Sequence, residues 1–507
     1  MILNWEKSKS ALILLLLFAF NLSQAQVVLL KDIKTGTGQS FMEKPVVFNG
    51  KLYFQASGDN FSLSGIFESD GTAIGTTLFH GELYTDELTA AASFLAWSGS
   101  PPSGTGSRIW RSNNGVVEYP GNTNNFCSTL FAYQNEVFFN GSTFSNGSEL
   151  WKLKSTGSPE AVIELPSSNS PSSLNPSRFT NHTDGSFYFL SWRINGSCSL
   201  WRSSGETANT FKIIDCPYTN EIFSAGNYIY FFTRDEAPLN SGLKQLWVSD
   251  GTNAGTHEIM DFGAGYPVTT QYAELNGKFY FFAPEPDNSY ELWESDGTAI
   301  GTFPVSNIDI DGGFPTFLGK VGNELFFSAA NSSLGPVLYK FNHLSSTVTL
   351  LKDINTVSTT SGDMGVGVQF LNKLYFTADD GINGIELWRT DGSSSGTELV
   401  ADINPSGNSE INHLTVLGKR LIFVAYDPIY GYEPRVYTDP MDPPCPSTLA
   451  LSGLSTQMIY EAALSIESTQ EVPVSFNSNY YSPSILLNPG FVTNNMAVFR
   501  AEPLGCD

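Results

Sequence analysis

The chain has 507 residues, with 26 Lys and Arg against 50 Asp and Glu, a formal charge of −24. A hydrophobic fraction of 41% is enough for a real core and excludes a largely disordered chain, and the acidic excess excludes the basic patch that nucleic acid or an anionic membrane surface requires. Only 15% of residues are charged and 46 are glycine, a mix that suits strands joined by many turns.

The amino terminus comes first in chain order. Lys7 and Lys9 precede the apolar run 11–20, and Ser23 and Ala25 place small residues at −3 and −1 of a cleavage site. Residues 1–25 therefore read as a secretory signal peptide, with the mature chain starting near Gln26. The run is shorter than the roughly 20 residues a membrane helix needs, so an exported chain without membrane insertion is expected.

A repeated motif follows. It stands as Gln245-Leu-Trp-Val-Ser-Asp-Gly-Thr-Asn-Ala-Gly-Thr256, and again from Glu291 to Thr302 and from Glu386 to Thr397. A fourth copy, Gly65 to Thr76, carries Phe67 at the Trp position, and degenerate copies place Trp110, Trp151, Trp201, Tyr339 and Arg435 there. Successive positions are 41–50 residues apart. A second, aromatic motif precedes the Trp position by 12 residues in the pairs 139/151, 189/201, 281/293, 327/339, 376/388 and 423/435. Asn49-Gly50, Asp184-Gly185 and Asn276-Gly277 lie just before aromatic runs, as two-residue hairpin turns require.

Each unit thus reads as a strand, a tight turn, an aromatic strand, a variable loop, a Leu-Trp strand, an Asp-Gly-Thr turn and a last strand. Four short strands per unit of about 45 residues predict an all-β fold, a β-propeller of about nine blades over residues 26–440. The ninth unit lacks its last strand. Val27-Val-Leu-Leu-Lys-Asp-Ile33 resembles the last-strand sequence Leu350-Leu-Lys-Asp-Ile354, so the N-terminal strand is expected to complete that blade and close the ring. Eight blades and one irregular unit is the alternative, with the second unit the weakest match.

After Pro440-Met-Asp-Pro-Pro-Cys445 the composition shifts, and alternating apolar residues over 456–501 predict a small all-β module at 441–507. The Leu-Trp and Asp-Gly-Thr copies resemble the secreted ELWxxDGT-repeat (hyalin-repeat-like) proteins of the Bacteroidota across most of residues 40–440. Leu487-Asn-Pro-Gly-Phe491 and the terminal Cys resemble the coat-hanger stack module of exported Bacteroidota proteins. The resemblance implies an exported repeat protein and implies no established activity.

Candidate chemistry is sparse. The repeated Asp70, Asp250, Asp296 and Asp391 are expected to cap turns, and the repeated Trp to pack between blades. His80, His182, His257, His343 and His413 fall in no metal-binding spacing. Asp379, Asp380 and Asn383 form an oxygen-rich loop that Ca²⁺ favours, with an ordinary Asn/Gly turn as the competing reading; no other cofactor is indicated. Cys198 and Cys216 share one antiparallel register and are expected to pair, as are Cys445 and Cys506 around the C-terminal segment, leaving Cys127; the alternative is five buried, reduced thiols. The expected function is extracellular binding or adhesion without catalysis, toward a glycan or protein ligand. The alternative is a secreted propeller enzyme acting on polysaccharide through channel carboxylates.

Overall fold

The structure is a computed structural model. It describes residues 26–439 except 60–63, 82–83, 101–106, 122–125, 143–146, 164–172, 193–197, 217, 220, 234–243, 264–270, 286–288, 306–314, 332–333 and 358–362, together with the backbone of the strands between 448 and 502. The expected signal peptide, Cys445 and Cys506 lie outside the described residues.

Nine four-stranded antiparallel sheets form the blades of a β-propeller. Blade 8 shows the plan: Met364–Phe370, Lys373–Asp379, Ile385–Thr390 and Glu398–Ala401 pair in chain order. The two middle strands are buried along nearly their whole length, while the last strand is mostly half-exposed. From blade 1 through blade 8, adjacent blades approach through their first strands, which places those strands innermost. The second unit, the weakest in sequence, is a regular blade in which Trp97 and Trp110 pair across strands. The count is nine.

The constant spacing of the two sequence motifs has a direct cause. The aromatic of the second strand and the residue at the Trp position are cross-strand partners: Phe54 with Phe67, Phe139 with Trp151, Phe189 with Trp201, Phe231 with Trp247, Phe281 with Trp293, Phe327 with Tyr339 and Phe376 with Trp388. Several pairs stack, as do Phe189 and Trp201 at 6.0 Å and Phe327 and Tyr339 at 5.5 Å. On its other side the same residue sits at a bulge against the last strand in blades 1, 3, 4, 5, 7 and 8. The bulge adds twist where the sheet must fan outward.

Each core cluster straddles two blades. Leu275, Tyr280, Phe282 and Leu292 of blade 6 pack with Phe317, Leu325, Phe327 and Tyr339 of blade 7, and Leu318 and Phe326 of blade 7 pack with Leu374, Phe376 and Trp388 of blade 8. The repeated aromatics therefore hold blades to one another. Trp151 and Trp388 are buried as expected, whereas Trp247 and Trp293 are half-buried against the neighbouring cluster.

Closure follows the predicted route. The ninth sheet has the order Gln26–Leu29, Gly431–Thr438, Arg420–Asp427, Asn412–Leu417, so the N-terminal strand is its outermost member. Leu30 N continues the pairing onto Pro434 O at 2.9 Å.

The C-terminal strands pair differently from the blades. Thr448–Leu454, Ser465–Val472 and Ile485–Leu487 form one parallel sheet, and Ile459–Glu461, Asn477–Tyr481 and Val498–Glu502 another. The chain alternates between the two sheets, so neighbours within a sheet run in the same direction. Sequence alternation predicts the strands but carries no sign of their pairing sense.

Replacing Trp388 by Ala opens a cavity at the blade 7–8 contact. Chemical denaturation should report a loss of about 3–5 kcal/mol.

Candidate functional site

The repeated acidic residues serve turns. Asp391 Oδ1 accepts from Ser393 N at 2.9 Å and Ser393 Oγ at 2.7 Å, and Asp70, Asp250 and Asp296 do the same with Thr72, Thr252 and Thr298. The first glycine of the motif has positive φ, +87° at Gly392. The second lies under the Asp carboxylate: a Cβ on Gly396 would sit 2.1 Å from Asp391 Oδ1. Lys340 Nζ of blade 7 donates to the Gly392 carbonyl at 2.7 Å, tying this turn to the preceding blade. Asp391 is held below the usual carboxylate range by its Ser393 hydrogen bonds. These four carboxylates are structural, as their repetition predicts.

The Glu of the motif does something the sequence reading missed. Glu386 is buried in blade 8, where Oε2 accepts from Ile403 N at 2.9 Å and Ser409 Oγ at 2.8 Å, and Oε1 from Asn404 N at 3.3 Å. Glu433, equally buried in blade 9, accepts from Ile33 N at 3.1 Å and Lys34 N at 3.2 Å. The amides of Ile403 and Asn404, and of Ile33 and Lys34, are thus equivalent cradles just beyond a last strand. Burial pushes both carboxyls up to about 7, against the lowering effect of their donors.

Asp379, Asp380 and Asn383 lie together in the loop between the second and third strands of blade 8. Asp380 Oδ1 accepts from Ile382 N at 2.9 Å and Asn383 N at 2.8 Å, Asn383 Nδ2 donates to Asp380 Oδ2 at 2.7 Å, and Asp379 Oδ1 accepts from Gly381 N at 2.7 Å. Blade 9 builds the same turn, with Asp427 Oδ1 accepting from Ile429 N at 2.7 Å and Tyr430 N at 2.9 Å. Asp379, Asp380 and Asn383 thus form an Asx-type turn. Among the described residues no group of three or more His, Cys, Asp or Glu side chains is placed to hold a metal.

Cys198 and Cys216 stand directly opposite each other, as the register predicts. That register holds only at this end: a bulge between Leu200 and Trp201 shifts the pairing by one, so Ser203 meets Thr210 beside the turn. Both side chains are buried, and Cys198 Sγ lies 3.6 Å from Cys216 O. Their mutual hydrogen bond and burial push the Cys216 thiol well up. Cys127 is also buried.

A cavity of about 410 Å³ opens where blade 9 meets blade 1. Gln39, Phe41, Met42 and Glu43 line it from the chain leading into blade 1, and Glu410, Asn412, His413 and Tyr432 from blade 9. Phe41, Glu410 and His413 all have positive φ, at 49°, 48° and 59°. Asn175 and Arg178 repeat that pattern in blade 4 at 46° and 55°, so the backbone geometry belongs to the blade and the side chains at the seam do not. Ser40 N donates to Tyr432 O at 3.1 Å and Tyr432 N to Gly38 O at 3.3 Å, fixing one wall to the other. Burial, with the fields of Glu410 and Glu43, raises the Tyr432 phenol. Sequence reasoning did not single out these residues. The available signal was Tyr432-Glu-Pro-Arg435, where other copies have Ile-Glu-Leu-Trp388 or Tyr-Glu-Leu-Trp293.

No family model and no curated protein matches the chain. Among solved structures it is similar to a prolyl endopeptidase, at 10% identity and a TM-score of 0.39 over 85% of this chain and 57% of that one. It is also similar to puromycin hydrolase, at 10% identity and a TM-score of 0.37 over 76% of this chain and 63% of the hydrolase. The β-propeller domain of the Trilobed protease from Pyrococcus furiosus matches at 11% identity and a TM-score of 0.35, covering 63% of this chain and 98% of that domain. The chain thus spans less than two thirds of the first two proteins.

Two outcomes follow from this chemistry. The folded protein keeps the Glu433 proton up to about pH 7, whereas the unfolded chain releases it near 4.5. The contribution of this group is full below that lower value and is lost as pH rises through the upper one. The stability advantage of the wild type over Glu433→Gln should shrink between pH 4.5 and 7.5, by at most about 3 kcal/mol, as read by denaturation at each pH. In an oxidising medium, non-reducing peptide mapping should recover Cys198 linked to Cys216, since their strands already hold them as opposite partners.

Proposed function

We propose that the chain is an exported binding protein that takes an extracellular glycan or protein ligand at the blade 9–blade 1 seam, without turnover. The observation that carries the reading is the composition of the seam cavity. Its aromatic and polar walls are non-repeating, whereas the repeated Asp70, Asp250, Asp296 and Asp391 are engaged in turns and Glu386 and Glu433 in amide cradles. A concave site that sets several polar groups beside a small aromatic surface can orient a polar ligand. Phe41, 48% exposed, meets the Tyr432 ring at 6.5 Å and supplies such a surface. Export is supported by the signal-peptide pattern of residues 1–25 and by the resemblance to secreted ELWxxDGT-repeat proteins. Among the described residues, no helix is long and apolar enough to cross a membrane.

The test is a glycan-array and polysaccharide-turnover screen of the mature protein beside Phe41→Ala and Tyr432→Ala. Binding lost in both variants, with no product released, is the expected result. Turnover abolished by Glu43→Gln or Glu410→Gln would establish the polysaccharide-hydrolase alternative instead.

A further inference from the structure

The hydrogen bonds around the seam cavity show which of its polar atoms are already engaged within the protein. Asn412 Nδ2 donates to Tyr432 Oη at 2.7 Å and to the Glu410 carbonyl at 3.1 Å. Both N–H bonds of that amide are thereby engaged within the protein, and its carbonyl oxygen is what remains. Tyr432 Oη in turn donates to the Glu410 carbonyl at 3.1 Å, so the phenol proton is engaged as well. The carboxylates of Glu43 and Glu410 add acceptors only. No Lys or Arg lines the cavity, and the nearby Lys44 ammonium donates to the Asp86 carbonyl of blade 2. Gln39 and His413 are the remaining polar side chains of the wall.

The aromatic surface is a corner. The Phe41 and Tyr432 rings meet at 52° with their centroids 6.5 Å apart, a tilted aromatic pair at the edge of the cavity. Ring faces carry negative quadrupole potential and attract cations. The chain's formal charge of −24 favours the approach of cations over anions. An acceptor-rich wall, two carboxylates and an aromatic corner converge on one ligand chemistry.

We propose that the seam cavity binds a primary ammonium group carried on a hydroxylated or alkyl body, as in an amino sugar or a polyamine. The three N–H bonds of the ammonium meet Glu43, Glu410 and the Asn412 carbonyl, and the Phe41–Tyr432 corner covers the adjoining carbon. The inference rests on the seam being the binding site and deepens that reading. Anionic sugars are rejected by the same two carboxylates.

Calorimetric titration of the mature protein with glucosamine oligomers, N-acetylglucosamine oligomers and spermidine tests it. The amines should bind and the N-acetylated oligomers at least about tenfold more weakly. Glu43→Gln and Glu410→Gln should each weaken amine binding about fivefold to tenfold. Asp261→Asn, an exposed carboxylate of blade 5, should leave it unchanged. Spermidine matching the glucosamine oligomers would show that the ammonium suffices, and the oligomers alone binding would assign the hydroxylated body; both support the proposal. N-acetylated oligomers binding as tightly as the amines, or equal losses in Asp261→Asn, would overturn it. If only neutral oligomers bind and Phe41→Ala abolishes that, the seam stands as the binding site and the ammonium inference falls. If no ligand depends on Phe41, both fall.

Discussion

The interaction on which the ring depends is the capture of the N-terminal segment by blade 9. A propeller buries the faces of its blades against one another, and a last blade with only three strands would leave Gly431–Thr438 as its uncovered outer edge. Here the first strand of the mature chain fills that place, and the Glu433 carboxylate holds the amides of Ile33 and Lys34 immediately after it. The segment then turns into blade 1 through Gln39, Phe41, Met42 and Glu43, which form one wall of the seam cavity. Closure and the candidate site are therefore one construction. The cradle fixes the segment leading into that wall, and the Ser40 and Gly38 backbone bonds to Tyr432 fasten the wall itself.

The same device stands one blade earlier, where Glu386 holds Ile403 and Asn404. Its recurrence shows how the repeat works beyond its turns. The Trp-position aromatic packs on its cross-strand partner and on the neighbouring blade, the Asp caps the turn beyond it, and the Glu before it anchors the chain leaving the blade. Each motif residue thus has a mechanical role, which accounts for why so much of the acidic charge yields no reactive cluster among the described residues. Blade 9 departs from the pattern in placing Arg435 at the Trp position, paired with the buried Asp427.

Architecture was legible because it repeats. The spacing of Phe376 and Trp388 reports a cross-strand pair, Asn49-Gly50 reports a turn with positive φ at both positions, and Val27–Ile33 reads as a missing last strand. The Cys198–Cys216 register was correct, yet the bulge at Leu200 and Trp201 was invisible, since a one-residue slip leaves no mark on composition. The site was not legible. Phe41, Glu43, Glu410, Asn412 and Tyr432 are distant in sequence and share no motif; closure brings them together. The Glu386 and Glu433 cradles were missed for a related reason, because their partners are backbone amides that every residue but proline carries.

Amide hydrogen exchange across residues 26–40 tests closure most directly. The account predicts that Leu30, Ile33, Lys34 and Ser40 exchange as slowly as the inner strands of blade 8, because each donates to a fixed acceptor in blade 9. Exchange of these four amides at the rate of an exposed loop, with blade 8 still protected, would contradict it.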